Sequence, residues 1–241
     1  MTRSALALAT ALLPTVRSLA LPPRLQHVFD LAVSCGNDVL SVADIGTDHG
    51  LLASELTKHF QSVIGVDKSE HALQGGALSR DNAGRNVDFR VGNGLQTLRR
   101  GEADVVCIAG MGVHTMCEIL DPHSLETIDT QHLVLQPTNS RPKHLMLLYE
   151  FVEGHGWSVE DECILYTQGR WYITTRFDRS HPFSSYKRSS LPGSILTTKA
   201  SMYPEFSNYK DHHVQWIGQD KRHTGKMSDA DRRWLEILPR Q

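Results

Sequence analysis

Asp44-Ile45-Gly46-Thr47-Asp48-His49-Gly50 is the stretch on which the fold turns. It follows a short apolar run, Val39 to Ala43, and precedes Leu52, Leu56 and Phe60, which recur at helical spacing. A strand, a glycine-bearing turn and a helix open a βαβ unit, and ligands of open α/β sheets bind beyond the carboxyl ends of the strands. The pattern is D-x-G-x-D-x-G, not the G-x-G-x-x-G of a dinucleotide turn. A pyrophosphate needs close, uncharged backbone, whereas Asp48 places a carboxylate there. S-adenosyl-L-methionine carries no phosphate but a cationic sulfonium and ammonium, so acidic residues at this turn suit it. The plainer reading is a tight turn with capping aspartates, since Gly and Asp favour turns and caps in any protein.

Working outward, Leu25, Val28, Phe29, Ala32 and Val33 predict an amphipathic helix over residues 24–35. Ser62 to Val66 reads as a second strand closed by Asp67, and Ser69 caps a helix expected to run to about Asn82 and end at Gly84, although Gly75-Gly76 interrupt it. Val87 to Val91 alternates as a strand and leads into Gly92-Asn93-Gly94. Ala103 to Ala109 is a strand followed by Gly110-Met111-Gly112, and Val113, Met116, Cys117 and Leu120 mark a helical face. His132 to Gln136 is a strand stopped by Pro137; Leu145, Leu148, Tyr149 and Val152 give a helix ending at Gly154 or Gly156. Residues 157–166 and 171–178 read as two strands joined at Gln168-Gly169-Arg170. The β-α alternation through residue 156 predicts a parallel sheet with helices on both faces, and the closing hairpin adds antiparallel strands at one edge. From Ser180 the chain turns Ser-, Thr- and Lys-rich with breaks at His181-Pro182 and Leu191-Pro192-Gly193, and helical periodicity returns only over Tyr203 to His223. The expected organisation is a leader at 1–21, an α/β domain at 22–178, and a separate extension at 179–241, partly helical or flexible.

The 241 residues suffice for one such domain with an appendage, and no apolar run reaches the length of a membrane-spanning helix. A net charge of -2 argues against an overall basic coat but leaves room for a local basic patch. The four cysteines form no CxxC pair and no zinc spacing, so no metal is expected and the thiols read as small buried groups. Met1 to Leu21 contains Arg3, Arg17 and several Ser and Thr but no acid. That composition fits an organellar transit peptide, mitochondrial or plastid; the apolar Ala5 to Leu13 also fits a short signal-peptide core, and a simple extension is the third reading.

Successive strand ends carry compatible groups. Asp67 is placed to accept ribose hydroxyls, Asn93 to bond an adenine edge, and Gly110-Met111-Gly112 to leave room for ligand and substrate. The candidate cofactor set is therefore Asp44, Gly46, Thr47, Asp67, Lys68, Asn93, Gly94, Ala109, Gly110, Met111 and Gly112. Arg24-Leu25, Ala43 to His49, Gly92-Asn93-Gly94-Leu95, Ile108-Ala109-Gly110-Met111-Gly112 and Leu135-Gln136-Pro137 together resemble the bacterial tRNA (adenine-N1)-methyltransferases that act on adenosine 22, the TrmK-like family. The resemblance covers roughly residues 22–178. It implies a Rossmann-like class I methyltransferase fold with a mostly parallel seven-stranded sheet, S-adenosyl-L-methionine as cofactor and tRNA as substrate. The sequence departs from the family pattern at Asn93, where Asp is usual, at Val113, where Gly is usual, and at Leu52-Ala53, where Leu-Pro commonly follows. The family's helical coiled-coil extension is not matched clearly after Ser180.

Adenine N1 has an in-plane lone pair, so methyl transfer needs positioning and water exclusion more than a strong base. Asp48, His49 and Met111 are the candidate catalytic residues: Asp48 and the main-chain carbonyls around Ala109 to Met111 to balance the cationic product ring, His49 to touch base or cofactor. Gln136, Thr138 and Asn139 end the fifth strand at the substrate side, and Arg141 joins Gln136 and Asn139 as a substrate candidate. Further basic groups, Arg85, Arg90, Arg99, Arg100, Lys143, Arg170, Lys187, Arg188 and Lys210, are available for phosphates but equally describe a solvated surface, as His114 does. Tyr166, Trp171 and Tyr172 are read either as core or as platforms for a flipped base. A methyltransferase of a small molecule or protein, and a noncatalytic relative that binds cofactor or RNA, remain the competing readings.

Overall fold

The computed structural model describes residues 21–75, 86–179, 192–199 and 201–237. The leader up to residue 20, the far end of the helix expected to reach Asn82, and Arg85, Lys187 and Arg188 lie outside the described residues. Seven strands form one sheet: β1 (Ser41–Ile45), β2 (Ser62–Asp67), β3 (Val87–Val91), β4 (Val105–Met111), β5 (His132–Pro137), β6 (Trp157–Thr167) and β7 (Arg170–Arg179), in the order β3-β2-β1-β4-β5-β7-β6. The pairings among β1 to β5 are parallel, and β7 runs antiparallel to both of its neighbours. The hairpin therefore does more than extend an edge, because its second strand is inserted between β5 and β6. Its turn is a two-residue one, with Gln168 at φ 51° and Gly169 at φ 74°, the positive pair that matches strand twist.

The helices are α1 (Pro23–Val33), α2 (Leu51–Leu56), α3 (Glu70–Gly75), α4 (Val113–Ile119), α5 (Pro122–Ile128), α6 (Pro142–Gly154), α7 (Ser194–Thr198), α8 (Glu205–Thr224) and α9 (Asp229–Ile237). Side chains alternate across the strands and feed two cores. Val42, Val63, Val105, Cys107 and Val134 face α1 and α2. Ala43, Ile45, Ile64, Val106, Ile108 and Leu135 face α4, α5 and α6. β1 begins two residues later than expected; the Leu40 and Ser41 amides both go to the Asp104 carboxylate, and the Leu40 side chain stays exposed. Ser69 does cap α3, its Oγ accepting the Ala72 amide at 3.1 Å.

The segment after residue 192, expected as a separate appendage, shares the second of these cores. Leu196, Phe206, Tyr209, Ile217 and Trp234 are buried in it. Glu162 of β6 is fully buried and accepts the Tyr149 hydroxyl at 2.6 Å, the Gly193 amide at 2.9 Å and the Ile195 amide at 2.9 Å. Tyr209 donates its hydroxyl to the Ser140 carbonyl at 2.6 Å. A buried carboxylate that satisfies two backbone amides and a phenol fixes the start of this segment on the sheet.

Candidate functional site

Three hollows lie along the carboxyl ends of the strands. The first, about 290 Å³, opens between β1, β4 and the start of α1, and is lined by Asp44, Gly46, Thr47, Asp48, His49, Ala109 and Gly110 together with Arg24, Leu25, Leu51 and Leu52. Asp44 lies inside β1, not in the turn beyond it, and is only 3% exposed. Its carboxylate accepts the Thr47 hydroxyl at 2.7 Å and the Ala53 amide. Burial pushes its pKa up to about 6 against these two hydrogen bonds, with the Asp67 charge adding to the rise. A buried acid held short of easy ionisation is what a cationic ligand would reverse.

The turn after β1 takes Gly46 at φ 76°, Asp48 at φ 51° and Gly50 at φ 68°. A Cβ on Gly46 would fall on Met111 Cε, the movable tip of a flexible side chain, so this glycine is required by its backbone angle more than by packing. Asp48 and His49 stand exposed at the rim, His49 Nε2 lying 3.8 Å from Asp48 Oδ2. Asp67, at the end of β2, accepts the Asp48 amide at 2.9 Å on one oxygen and the Ser69 amide at 2.8 Å on the other. Each carboxylate oxygen keeps a second lone pair for a ligand hydroxyl.

Asp67 stands between the first hollow and a second of about 100 Å³, whose lining includes its neighbour Lys68, with Asn93, Leu95, Gln96 and Glu118. Asn93 is exposed there, its amide 3.4 Å from Gln96 Oε1. Gly94 is buried under Ile119 at the start of a short 3-10 turn, and Gly112 precedes α4 and accepts the Met116 amide, so neither lines a hollow. The Met111 carbonyl, a candidate partner for the product ring, is taken by the Thr138 amide at 2.9 Å and approached by the Thr138 hydroxyl at 3.4 Å.

Gln136 corrects one expectation. It is fully buried, and its amide is consumed internally: Nε2 donates to the Arg24 carbonyl at 2.9 Å and to Thr174 Oγ1 at 2.5 Å, while Oε1 accepts from Arg24 Nη1 at 3.1 Å. A polar residue at a strand end read as a substrate contact is instead a latch on Arg24. The latch holds the guanidinium over the bulge at Gly110, where Nη1 lies 3.0 Å from the place of a glycine Cβ, and 5.9 Å above the Tyr172 ring. Arg24 is the cation of the first hollow, and its place there was not read from sequence.

A third hollow of about 420 Å³ takes in Asn139 and Arg141 with Thr138, Ser140, Gly169, Arg170, Trp171, His212 and His213. Of the scattered basic residues, Arg90 is bound by Asp88 and Glu102, and Arg100 by Asp129. Arg141 and Lys143 instead share the face of Trp216, at 4.0 Å and 5.4 Å from its centroid. Tyr166 is exposed and packs on Trp171 at 4.6 Å, so the aromatic pair borders both core and solvent. Among the described residues no group of three or more His, Cys, Asp or Glu side chains is placed to hold a metal, and no helix is long and apolar enough to cross a membrane.

Residues 21–174 match the family described as Methyltransferase domain. A tRNA (adenine(22)-N(1))-methyltransferase of Bacillus subtilis is 26% identical over 159 residues, 64% of this chain and 65% of its own length. A relative from Mycoplasma pneumoniae is 30% identical over 148 residues, 59% of this chain and again 65% of its own length. The chain thus spans less than two thirds of these curated relatives. The solved structure of the B. subtilis M1A22 tRNA methyltransferase TrmK has a TM-score of 0.65 at 24% identity, covering 91% of this chain and 94% of its own. M. capricolum TrmK, solved with S-adenosyl-homocysteine, has a TM-score of 0.58 at 20% identity, covering 90% and 99%. At these identities the structural likeness speaks for the fold.

Proposed function

This chain belongs to the methyltransferase-domain family, and on that premise we propose that it transfers a methyl group from S-adenosyl-L-methionine to N1 of an adenine in tRNA, at a position of the adenosine-22 type. The observation that carries the cofactor half is the acid-lined first hollow, with Asp44 buried and its pKa raised to about 6. A sulfonium or ammonium arriving there restores the charge that burial disfavours, whereas a diphosphate would be repelled. Bound in that hollow, S-adenosyl-L-methionine supplies an electrophilic methyl group on sulfur. Arg24, held by Gln136, would face the ligand's carboxylate, Asp67 would take its ribose, and Lys68 and Asn93 of the second hollow would border the adenine.

The incoming base needs no general base, because N1 attacks with its own lone pair and the bonding pair of the transferred methyl stays on sulfur. The chain's contribution is alignment and exclusion of water. Exposed Asp48, at the rim beside His49, is placed to balance the positive charge that the ring acquires. Gly110, pinned under Arg24 without a side chain, leaves the substrate side of the hollow open. The tRNA half of the reading is supported by the named activity of the B. subtilis relative.

The test is transfer of labelled methyl from S-adenosyl-L-methionine to unmodified tRNA, with the product nucleoside identified by mass spectrometry. 1-Methyladenosine from the parent, absent with Asp44→Ala, is the expected result. Cofactor binding without any labelled tRNA would defeat the RNA assignment and favour a small-molecule or protein substrate, or a noncatalytic role.

A further inference from the structure

The third hollow differs in charge from the first. Among the described residues its lining contains no carboxylate, while Arg141, Arg170, His212 and His213 all border it. Arg141 is oriented by Trp216 at 4.0 Å, a contact that holds the guanidinium without neutralising it. Arg141 also precedes Pro142, the first residue of the thirteen-residue α6, so the positive end of that helix dipole points the same way.

His213 is the anomaly. It is 4% exposed, and neither ring nitrogen has a hydrogen-bond partner among the described residues. The ring meets Tyr209 and Trp234 edge-on, its centroid 4.5 and 6.3 Å from theirs. Buried polar atoms are almost always paired, and an unpaired one calls for a missing partner. Burial, with the neighbouring His212 and Arg141 charges, pushes its pKa down to about 4. The ring is therefore neutral near pH 7 and offers one N–H donor and one acceptor.

The cleft is also tied to the first hollow. Thr138, which lines it, donates its amide to the Met111 carbonyl at the end of β4 at 2.9 Å. We propose that this cleft is a phosphodiester subsite for the nucleotide next to the target base, with Arg141 and Arg170 on the phosphate oxygens, the His213 N–H as the buried donor, and Trp171 beside the flanking base. The proposal rests on the RNA reading above. It assigns the segment after residue 192 a direct part in substrate binding, since α8 brings His213 to a wall otherwise built by the loop between β5 and α6 and by the β6–β7 turn.

The experiment is equilibrium binding of unmodified tRNA to the full chain over a range of salt concentrations, with S-adenosyl-L-methionine affinity measured in parallel. Loss of one phosphate contact in the Arg141→Gln/Arg170→Gln double variant should lower the slope of log affinity against log salt by about 0.7 to 0.9. His213→Phe keeps the ring volume and should weaken tRNA severalfold while its melting temperature holds or rises, because the orphaned nitrogens are gone. Cofactor affinity should stay at the parent value in both. Parent-like tRNA affinity and salt slope in the variants would overturn the subsite and leave the RNA reading standing. Failure of the parent itself to bind tRNA would sink both. Isotope-labelled His213 resonances that shift with inorganic phosphate and not with tRNA would mark an anion site unrelated to RNA, and would also overturn the proposal.

Discussion

Replacing Asp44 with Asn should make the ligand-free protein more stable while weakening its hold on cofactor. Burial raises the Asp44 carboxyl from 3.8 to about 6. Between those values the folded state keeps a proton that the unfolded chain has released, so stability falls as pH rises through the window and the full cost is present above it. At ~1.4 kcal/mol per pKa unit, keeping this carboxylate charged near neutrality costs about 3 kcal/mol. Asn removes that cost but matches only one of the two donors that Asp44 accepts, from Thr47 and Ala53. Discounting about 1 kcal/mol for the mismatch leaves a net gain of roughly 2 kcal/mol. For a chain of this size that is about 4–8 °C in melting temperature. Thermal melts of ligand-free parent and Asp44→Asn should differ by that much near pH 7.5 and converge by about pH 4, where the Asp44 carboxyl is protonated in the folded state. Calorimetry with S-adenosyl-L-methionine should show at least tenfold weaker binding for the variant, and for the parent a tightening between about pH 5 and 7 with proton release. A variant destabilised equally at both pH values would refute the reasoning, because it would make Asp44 a hydrogen-bonding residue and nothing more.

Gly46→Ala should abolish cofactor binding, since its Cβ meets Met111 Cε and its φ is 76°; adding Met111→Ala should recover part of the binding but not the ~1–2 kcal/mol backbone cost, as a double-mutant cycle would read. Gln136→Leu should cost about 1–3 kcal/mol by orphaning the Arg24 carbonyl and Thr174 hydroxyl, and should raise the KM for S-adenosyl-L-methionine; a parent-like KM would mean that Arg24 needs no latch. Glu162→Ala leaves the Gly193 and Ile195 amides unpaired and the Tyr149 hydroxyl with Thr175 alone. It should lose at least ~3 kcal/mol and speed limited proteolysis around residue 192. Unchanged digestion would show that the apolar contacts alone hold the C-terminal helices.

The sheet was legible because its central strands are largely apolar on both faces, as Val105 to Ile108 illustrates. What stayed hidden was non-local. The insertion of β7 between β5 and β6 is a choice of partner, and nothing in residues 170–179 states it. The burial of Gln136 depends on Arg24 and Thr174, one far upstream and one far downstream. Two further helices had local signals, the first unread and the second expected from the periodicity over Tyr203 to His223. Asp121-Pro122 is a cap followed by a first-turn proline, and Asp121 accepts the Ser124 amide at 3.1 Å to start α5. Phe206, Tyr209, His213 and Ile217 recur at helical spacing and form the buried face of α8. Asp44, Gly46, Thr47, Asp48, His49, Ala109 and Gly110 share the first hollow because strand ends converge by topology alone. Asn139 and Arg141 fell in a different hollow because β5 carries them past β4 toward the hairpin turn.

The place of β7 bears on how the chain is made. Until residues 170–179 leave the ribosome, β5 presents Leu133, Val134 and Leu135 on an unpaired edge, the kind of template on which nascent chains associate with one another. The wait extends to the ligand pocket. Its walls are encoded by residues 24–110, yet the Arg24 latch closes on Thr174, which emerges on the order of ten seconds later at ordinary elongation rates. A ribosome-bound intermediate can therefore hold most of the Rossmann-like sheet while Arg24 still lacks the support that Gln136 draws from Thr174.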